Sequence, residues 1–313
     1  MKVLVTGAAG FIGSHTAERL RDMGHDVIGM DNYSPYYDKS LKKLNEKALS
    51  KKGITIVEAD LRTDNLNEAL PKDVNYIFHF AAQPGISASC TFEEYLTNNI
   101  IATKNLIDYA LSLNDFRLFV NIGTSSIYGL QATHPESVAP QPASHYGVTK
   151  LGAEQLVLAK SREKQMKACS FRLYSVYGPR ERPEKLYTKL IACAINDQEF
   201  PLYEGSEKHL RSFTYVGDIV DGIVSAIGHE DKCNGEVINL GTERENTTQE
   251  GIEAVEKVLG KKIKLHVTPP RPGDQLRTKA NIDKAKSLLN YNPQTTLEEG
   301  VAQQVSWYKE NFC

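Results

Sequence analysis

Lys2-Val3-Leu4-Val5-Thr6-Gly7-Ala8-Ala9-Gly10-Phe11-Ile12-Gly13 is the stretch that decides the fold. A short apolar run runs into a glycine cluster, and the residues from His15 to Met23 then read as a helix. In that strand–loop–helix setting each glycine has a task. Gly7 permits the tight turn, Gly10 lets the backbone approach a pyrophosphate, and Gly13 lets the helix sit close to the sheet. The helix N-terminus offers unpaired N–H groups and a positive dipole end to phosphates. The spacing G-x-x-G-x-x-G is one residue longer at its front than the usual dehydrogenase form. It predicts a dinucleotide over Gly7, Gly10, Phe11, Ile12 and Gly13.

Outward from this point, strands are expected at Val3–Thr6, Asp26–Met30, Ile54–Val57, Tyr76–Phe80 and Arg117–Ile122, with a helix from Phe92 to Leu113. Nearly continuous apolar strands alternating with helices predict an α/β, Rossmann-type, doubly wound parallel sheet. After Arg172–Tyr177 the chain turns rich in Pro and charge around a helix at Leu186–Asn196. A strand at Glu236–Leu240, a Pro-rich loop over 266–275 and two closing helices follow. The expected organisation is a dinucleotide-binding domain over 1–174, with a returning segment near 211–243. Residues 175–210 and 244–313 would form a smaller, interleaved α/β substrate lobe.

Asp31 ends the second strand, where a carboxylate accepts hydrogen bonds from the adenosine ribose and repels a 2′-phosphate. NAD is therefore expected over NADP. Asp60-Leu61, after the third strand, reads either as a contact to adenine or as a helix N-cap. His79, inside an apolar strand, reads as a hydrogen-bonded core residue.

Tyr146 and Lys150 are four apart on a predicted helix and share one face. A free tyrosine titrates near ~10, too high for a base at neutral pH. A nearby ammonium and a positive nicotinamide ring would both lower that value. Thr124, at the end of the fifth strand, can hydrogen-bond the same substrate oxygen. This set predicts hydride transfer at a carbinol carbon, with Tyr146, Lys150 and Thr124 as the catalytic residues.

Composition narrows the partners. Lys plus Arg is 37 and Asp plus Glu 39, a net charge of −2, which suits neither a nucleic-acid nor a membrane-surface binder. The five cysteines are scattered without a CxxC pair, so reduced thiols, a cytoplasmic setting and no metal site are expected. Met1 leads straight into a strand, unlike a signal peptide, and no apolar run approaches the ~20 residues of a membrane span.

The chain resembles the extended short-chain dehydrogenase/reductases of the nucleotide-sugar epimerase/dehydratase group. The likeness rests on Gly7–Gly13, Ala81-Ala82, Asn99 in Asn-Ile-Ile-Ala-Thr, Tyr146-x-x-x-Lys150 and Arg211-Ser-Phe-Thr-Tyr-Val-x-Asp218. It continues through Arg271-Pro-Gly-Asp274 and the tail from Tyr291 to Gly300. The resemblance implies that Ala81, Ala82 and Asn99 lie at the NAD site, and that Tyr203, Arg211, Arg271 and Asp274 surround the nucleotide of the substrate. The bland alternative for the arginines is solvated surface charge. The helices Phe92–Leu113 and Tyr146–Lys160 resemble the family's dimer bundle, implying a homodimer.

Within that group, 4,6-dehydratases carry Asp-Glu directly after the Thr, and decarboxylases resemble Thr-Ser-Glu. Here Ser125-Ser126 follow Thr124, so elimination of water lacks its acid and base, although Pro183-Glu184-Lys185-Leu186 is similar to dehydratases. C4 epimerisation is the remaining chemistry. The stretch Asp31-Asn32-Tyr33-Ser34-Pro35-Tyr36-Tyr37-Asp38, continuing to Lys42, resembles UDP-glucuronate 4-epimerases, as does Tyr177-Gly-Pro-Arg-Glu-Arg182-Pro-Glu184. That likeness implies cofactor contacts from Asn32 and Lys42. It also implies an Arg182 clamp on the sugar carboxylate, with Ser125, Ser126 and Ser175 lining the sugar. Pro84-Gly85-Ile86-Ser87 departs from the group's Ala-Gly-Val-Arg, and His145 stands in place of a Pro. Those departures leave another UDP-hexose, glucose or N-acetylglucosamine, as an alternative substrate; a 4,6-dehydratase, a UDP-glucuronate decarboxylase and an NAD-binding protein without turnover are the further alternatives.

Overall fold

A computed structural model describes residues 1–87, 89–270 and 277–313. Seven parallel strands form the central sheet: β1 Lys2–Thr6, β2 Asp26–Asp31, β3 Thr55–Glu58, β4 Tyr76–His79, β5 Leu118–Thr124, β6 Ala168–Leu173 and β7 Val237–Leu240. Their spatial order, β3-β2-β1-β4-β5-β6-β7, reverses direction between β1 and β4. This is the doubly wound arrangement expected from the sequence, and its switch point lies at the C-terminal end of β1, where the glycine loop begins.

Successive side chains along a strand point to opposite faces. Val3 and Val5 of β1 join one core cluster with Ala17, Leu20, Leu49 and Ile219. Leu4 joins the other, with Leu106, Ile107 and Val157. Both faces are therefore dry. A third cluster, built on Tyr177, Tyr187, Leu190, Ile252, Val301 and Val305, has no share in the sheet. Small strand pairs border it, including Phe200–Tyr203 alongside Leu265–Thr268.

Several elements differ from the sequence expectation. The first helix begins at Phe11 rather than His15, directly from the glycine loop. The helix expected over Phe92–Leu113 runs through a π-helical segment, Leu96–Ile101, before continuing as Ala102–Leu111. Residues 266–268 of the expected Pro-rich loop belong to a strand, Leu265–Thr268, because Pro269 and Pro270 only stop the pairing after Thr268. The helix Lys39–Lys51, capped by Asp38, grows out of a stretch read only as a motif.

One buried ion pair joins the layers. Glu154 lies on the helix His145–Arg162 and Arg172 on β6, and both side chains are almost wholly buried. Arg172 Nη2 donates to Glu154 Oε1 at 2.7 Å and Nε to Oε2 at 3.0 Å. Its Nη1 donates to the Tyr128 hydroxyl, which donates to Asn239 of β7. Removing one partner strands a buried charge, at a cost of about 3–5 kcal/mol. Arg172→Met should therefore lower the urea-unfolding free energy by about that amount, measured by circular dichroism. A loss comparable to a surface substitution would show the pair to be solvated.

Candidate active site

The glycine loop has the shape a pyrophosphate needs. Gly7 adopts φ +68°, and a Cβ there would stand 2.8 Å from the Ala81 nitrogen. A Cβ at Gly13 would collide with the Gly7 carbonyl oxygen. The helix Phe11–Asp22 has neither a side-chain cap nor an acidic residue in its first turn. Its N-terminal N–H groups therefore face the loop with the dipole unopposed.

Asp31 is more constrained than a lone ribose acceptor. Its Oδ1 accepts from Lys42 Nζ and from Tyr33 N–H, both at 2.8 Å, and its Oδ2 from Ala9 N–H at 3.2 Å. Asn45 completes the corner by donating to the Ala9 carbonyl. The buried Lys42 offsets the Asp31 charge. Asn32 donates to Asp60, and Arg62 donates to both Asp60 oxygens. The Arg62 guanidinium holds the Asp60 carboxyl down at about 2. Asp60 thus caps the turn that follows it, not a helix, while the Leu61 side chain is buried in the core.

Behind β4, Asn99 is buried in the π-helical segment. It accepts from Gln83 N–H at 2.8 Å and donates to Thr149 Oγ1 at 3.0 Å. It thereby ties the loop beginning at Ala81-Ala82 to the helix bearing Tyr146 and Lys150. His79 bridges Thr6 and Thr103 in the core, and burial pushes its pKa down to about 3.

Tyr146 stands at the first turn of its helix and Lys150 one turn on. Burial lowers Lys150 to about 8, against the pull of Glu154. Burial raises the Tyr146 phenol above its ordinary value, and the counterweights are the Thr124 hydroxyl, then the Arg182 guanidinium, then the Gly85 backbone N–H. Ser125 and Ser126 follow Thr124 in a short 3-10 turn, with no carboxylate beside them in the chain.

Arg182 arrives on a strap from Gly178 to Lys185. Arg180 donates to Glu18 at 2.9 Å and to Ser14 at 3.2 Å, and His15 shares a hydrogen bond with the Pro179 carbonyl. All three partners sit on the glycine-loop helix. Arg182 Nη1 lies 3.0 Å from Glu184 Oε1 but out of alignment for a hydrogen bond, leaving a buried N–H without an acceptor. An unpaired buried donor is what an incoming anion would satisfy. The Ser175 carbonyl accepts from Thr214 N–H. Tyr203 and Arg211 lie on two separate small sheets outside the central one. Arg271 and Asp274 fall outside the described residues.

Sequence reading missed Glu181. It is buried beside Arg182 and accepts from Thr188 Oγ1 and Gln304 Nε2. Burial raises its carboxyl to about 7. Folded Glu181 therefore binds its proton more tightly than an unfolded glutamate at 4.5. The associated stability is full below pH 4.5 and is lost as pH rises through about 7. Glu181→Gln should match the wild type in thermal stability at pH 4.5 and exceed it above pH 7, by up to roughly 3 kcal/mol. Equal melting curves at both pH values would refute this.

Comparison with known proteins places these features in one group. The NAD dependent epimerase/dehydratase family matches residues 3–241. The uncharacterized UDP-glucose epimerase YtcB of Bacillus subtilis (strain 168) is 36% identical, covering 98% of each chain. UDP-glucuronate 4-epimerase 6 of Arabidopsis thaliana is 34% identical over 98% of this chain and 71% of its own. The crystal structure of UDP-glucuronic acid 4-epimerase from Bacillus cereus, in complex with UDP-glucuronic acid and NAD, superposes with a TM-score of 0.93 at 33% identity, covering all of both chains. With its glycine loop, Asp31 corner and Tyr146–Lys150 helix on one doubly wound sheet, the chain belongs to the NAD-dependent epimerase/dehydratase family.

Proposed function

We propose that the protein is a UDP-sugar C4 epimerase that interconverts UDP-glucuronate and UDP-galacturonate. The observation that carries the sugar is Arg182. A guanidinium with a buried, acceptor-free N–H stands beside the Tyr146 hydroxyl, the geometry that a C6 carboxylate would complete.

Tyr146 takes the proton from the 4-hydroxyl while Thr124 hydrogen-bonds the same oxygen. NAD⁺, when bound at the glycine loop, would supply the acceptor and donor of the C4 hydride and a positive ring that favours the phenolate. Lys150 keeps a cation one helical turn from the base. The 4-keto sugar then turns, presents its other face and regains hydrogen at C4, and Tyr146 returns the proton. Ser125 and Ser126 offer neither the acid nor the base needed to expel water. A 4-keto uronate is also a β-keto acid, prone to lose CO₂. In this reading Arg182, with Thr124, Ser125 and Ser126, holds the carboxylate away from the geometry of that loss.

The remaining assignments belong to the same reading. Residues 1–174 and 211–243 hold NAD through the glycine loop, Asp31, Asn32, Lys42, Asp60, Leu61, Ala81, Ala82 and Asn99. Residues 175–210 and 244–313 hold the UDP-sugar, with Ser175, Tyr203, Arg271 and Asp274 as its contacts, joined by Arg211 from the start of the returning segment. The enzyme works in the cytoplasm as a homodimer. Exposed Phe92, Ile101 and Val148 on the two helices of the expected bundle support that pairing. Among the described residues no helix is long and apolar enough to cross a membrane. A neutral UDP-hexose is the second reading, favoured by Ile86-Ser87 where the uronate group carries an arginine.

Purified protein with UDP-glucuronate, UDP-glucose, UDP-N-acetylglucosamine and dTDP-glucose, followed in parallel by NMR, separates these. UDP-galacturonate should appear without net consumption of added NADH. Tyr146→Phe should abolish turnover while retaining NAD, and Arg182→Ala should lower kcat/KM for the uronate by ~10²-fold, the loss of a charge-assisted pair. Full turnover by Arg182→Ala, a pentose, or a dehydrated 4-keto product would overturn the assignment.

A further inference from the structure

Arg182 is held by a group that the proposed reaction does not use. Its guanidinium carbon lies 5.5 Å from the centre of the Tyr36 ring. On another side is Gly85, where a Cβ would come within 3.3 Å of Arg182 Nη2.

The loop carrying Tyr36 is fixed at both ends. Asp31 accepts from Tyr33 N–H and Asn32 Oδ1 from Ser34 N–H, and Tyr33 sits at φ 48°. Lys43 Nζ lies 4.0 Å over the Tyr33 ring and Lys42 Nζ 5.7 Å over the Tyr37 ring. Asp38 then caps the helix Lys39–Lys51. A loop anchored to the Asp31 carboxylate thus presents an aromatic face to a guanidinium on a different lobe.

The chemistry of that contact matters. A carboxylate beside the guanidinium, half-exposed Glu184, lies 3.0 Å from Nη1 without hydrogen-bonding it, whereas a carboxylate that did bond would consume the N–H donors a substrate anion needs. An aromatic ring attracts the cation through its π face and leaves the N–H edge free. We propose that Tyr36 is a specificity-determining positioning residue, whose ring holds Arg182 with its donor edge open to a carboxylate at sugar C6. The inference deepens the uronate reading and rests on it.

Full-length enzyme with NAD bound, in wild-type, Tyr36→Leu, Tyr36→Phe and Arg182→Ala forms, tests this by calorimetric titration with UDP-glucuronate and with UDP-glucose. A contact of this kind is worth ~1 kcal/mol, so Tyr36→Leu should weaken UDP-glucuronate binding about fivefold. UDP-glucose binding should move less than about twofold. Tyr36→Phe, which keeps the ring, should match the wild type for both sugars. In turnover, Tyr36→Leu should raise KM for the uronate with kcat nearly unchanged. Equal weakening of both sugars would reduce Tyr36 to general packing, and a Phe variant as poor as Leu would assign the effect to the hydroxyl; either overturns the proposal. If Arg182→Ala loses the preference for the uronate and Tyr36→Leu keeps it, this inference alone fails. If the wild type does not distinguish the two sugars, the uronate reading falls and takes the inference with it.

Discussion

Much of this structure depends on the bidentate contact between Glu154 and Arg172, buried between a helix and the sheet. The helix carries Tyr146, Lys150 and Glu154 at successive turns of one face, so fixing Glu154 fixes the rotation of all three. Arg172 comes from a strand whose neighbours are apolar and buried on both sides, and desolvating two charges there is costly. The recompense is hydrogen bonding at both carboxylate oxygens and at three guanidinium nitrogens, through Ser170 and Tyr128 as well as the pair itself. The catalytic face is thus keyed to β6 and β7 by directional bonds, where apolar contact alone would let it slide.

The substrate side is keyed differently. The strap bearing Arg182 comes after β6 in sequence, yet Pro179 and Arg180 bond to His15, Ser14 and Glu18 on the glycine-loop helix. Arg180 takes a left-handed backbone, φ 70°, to make that turn. The next residue, Glu181, is bound to Gln304 and Thr188 of the third core cluster's helices. The same short segment is therefore held from two sides, and Arg182 follows directly after both holds.

Much of this was legible in the residues alone. The glycine spacing, the apolar strands and the four-residue step from Tyr146 to Lys150 are local signals, and each gave its element correctly. The partners were not legible. Nothing near Asp31 announces that Lys42 and Ala9 N–H both bind it, because those contacts depend on where one helix lands. Arg172 did leave a trace: a charge inside a fully buried strand demands a partner, and Glu154, one turn beyond Lys150, was the natural candidate. Tyr146 shows the same limit, because Arg182, 36 positions downstream in the chain, acts on its phenol only through the fold.

The π-helical segment Leu96–Ile101 carries a consequence for how the chain tolerates insertion and deletion. A π turn holds one residue more than an α turn, and here that surplus lets Asn99 face inward to Gln83 and Thr149. Deleting a single residue would restore regular helix and improve its backbone hydrogen bonding. It would also rotate everything upstream by about a quarter turn, carrying Asn99 off its two partners. Local regularity and the working site thus pull in opposite directions at this position, and the irregular helix is the form in which the loop after β4 stays tied to the helix of the base.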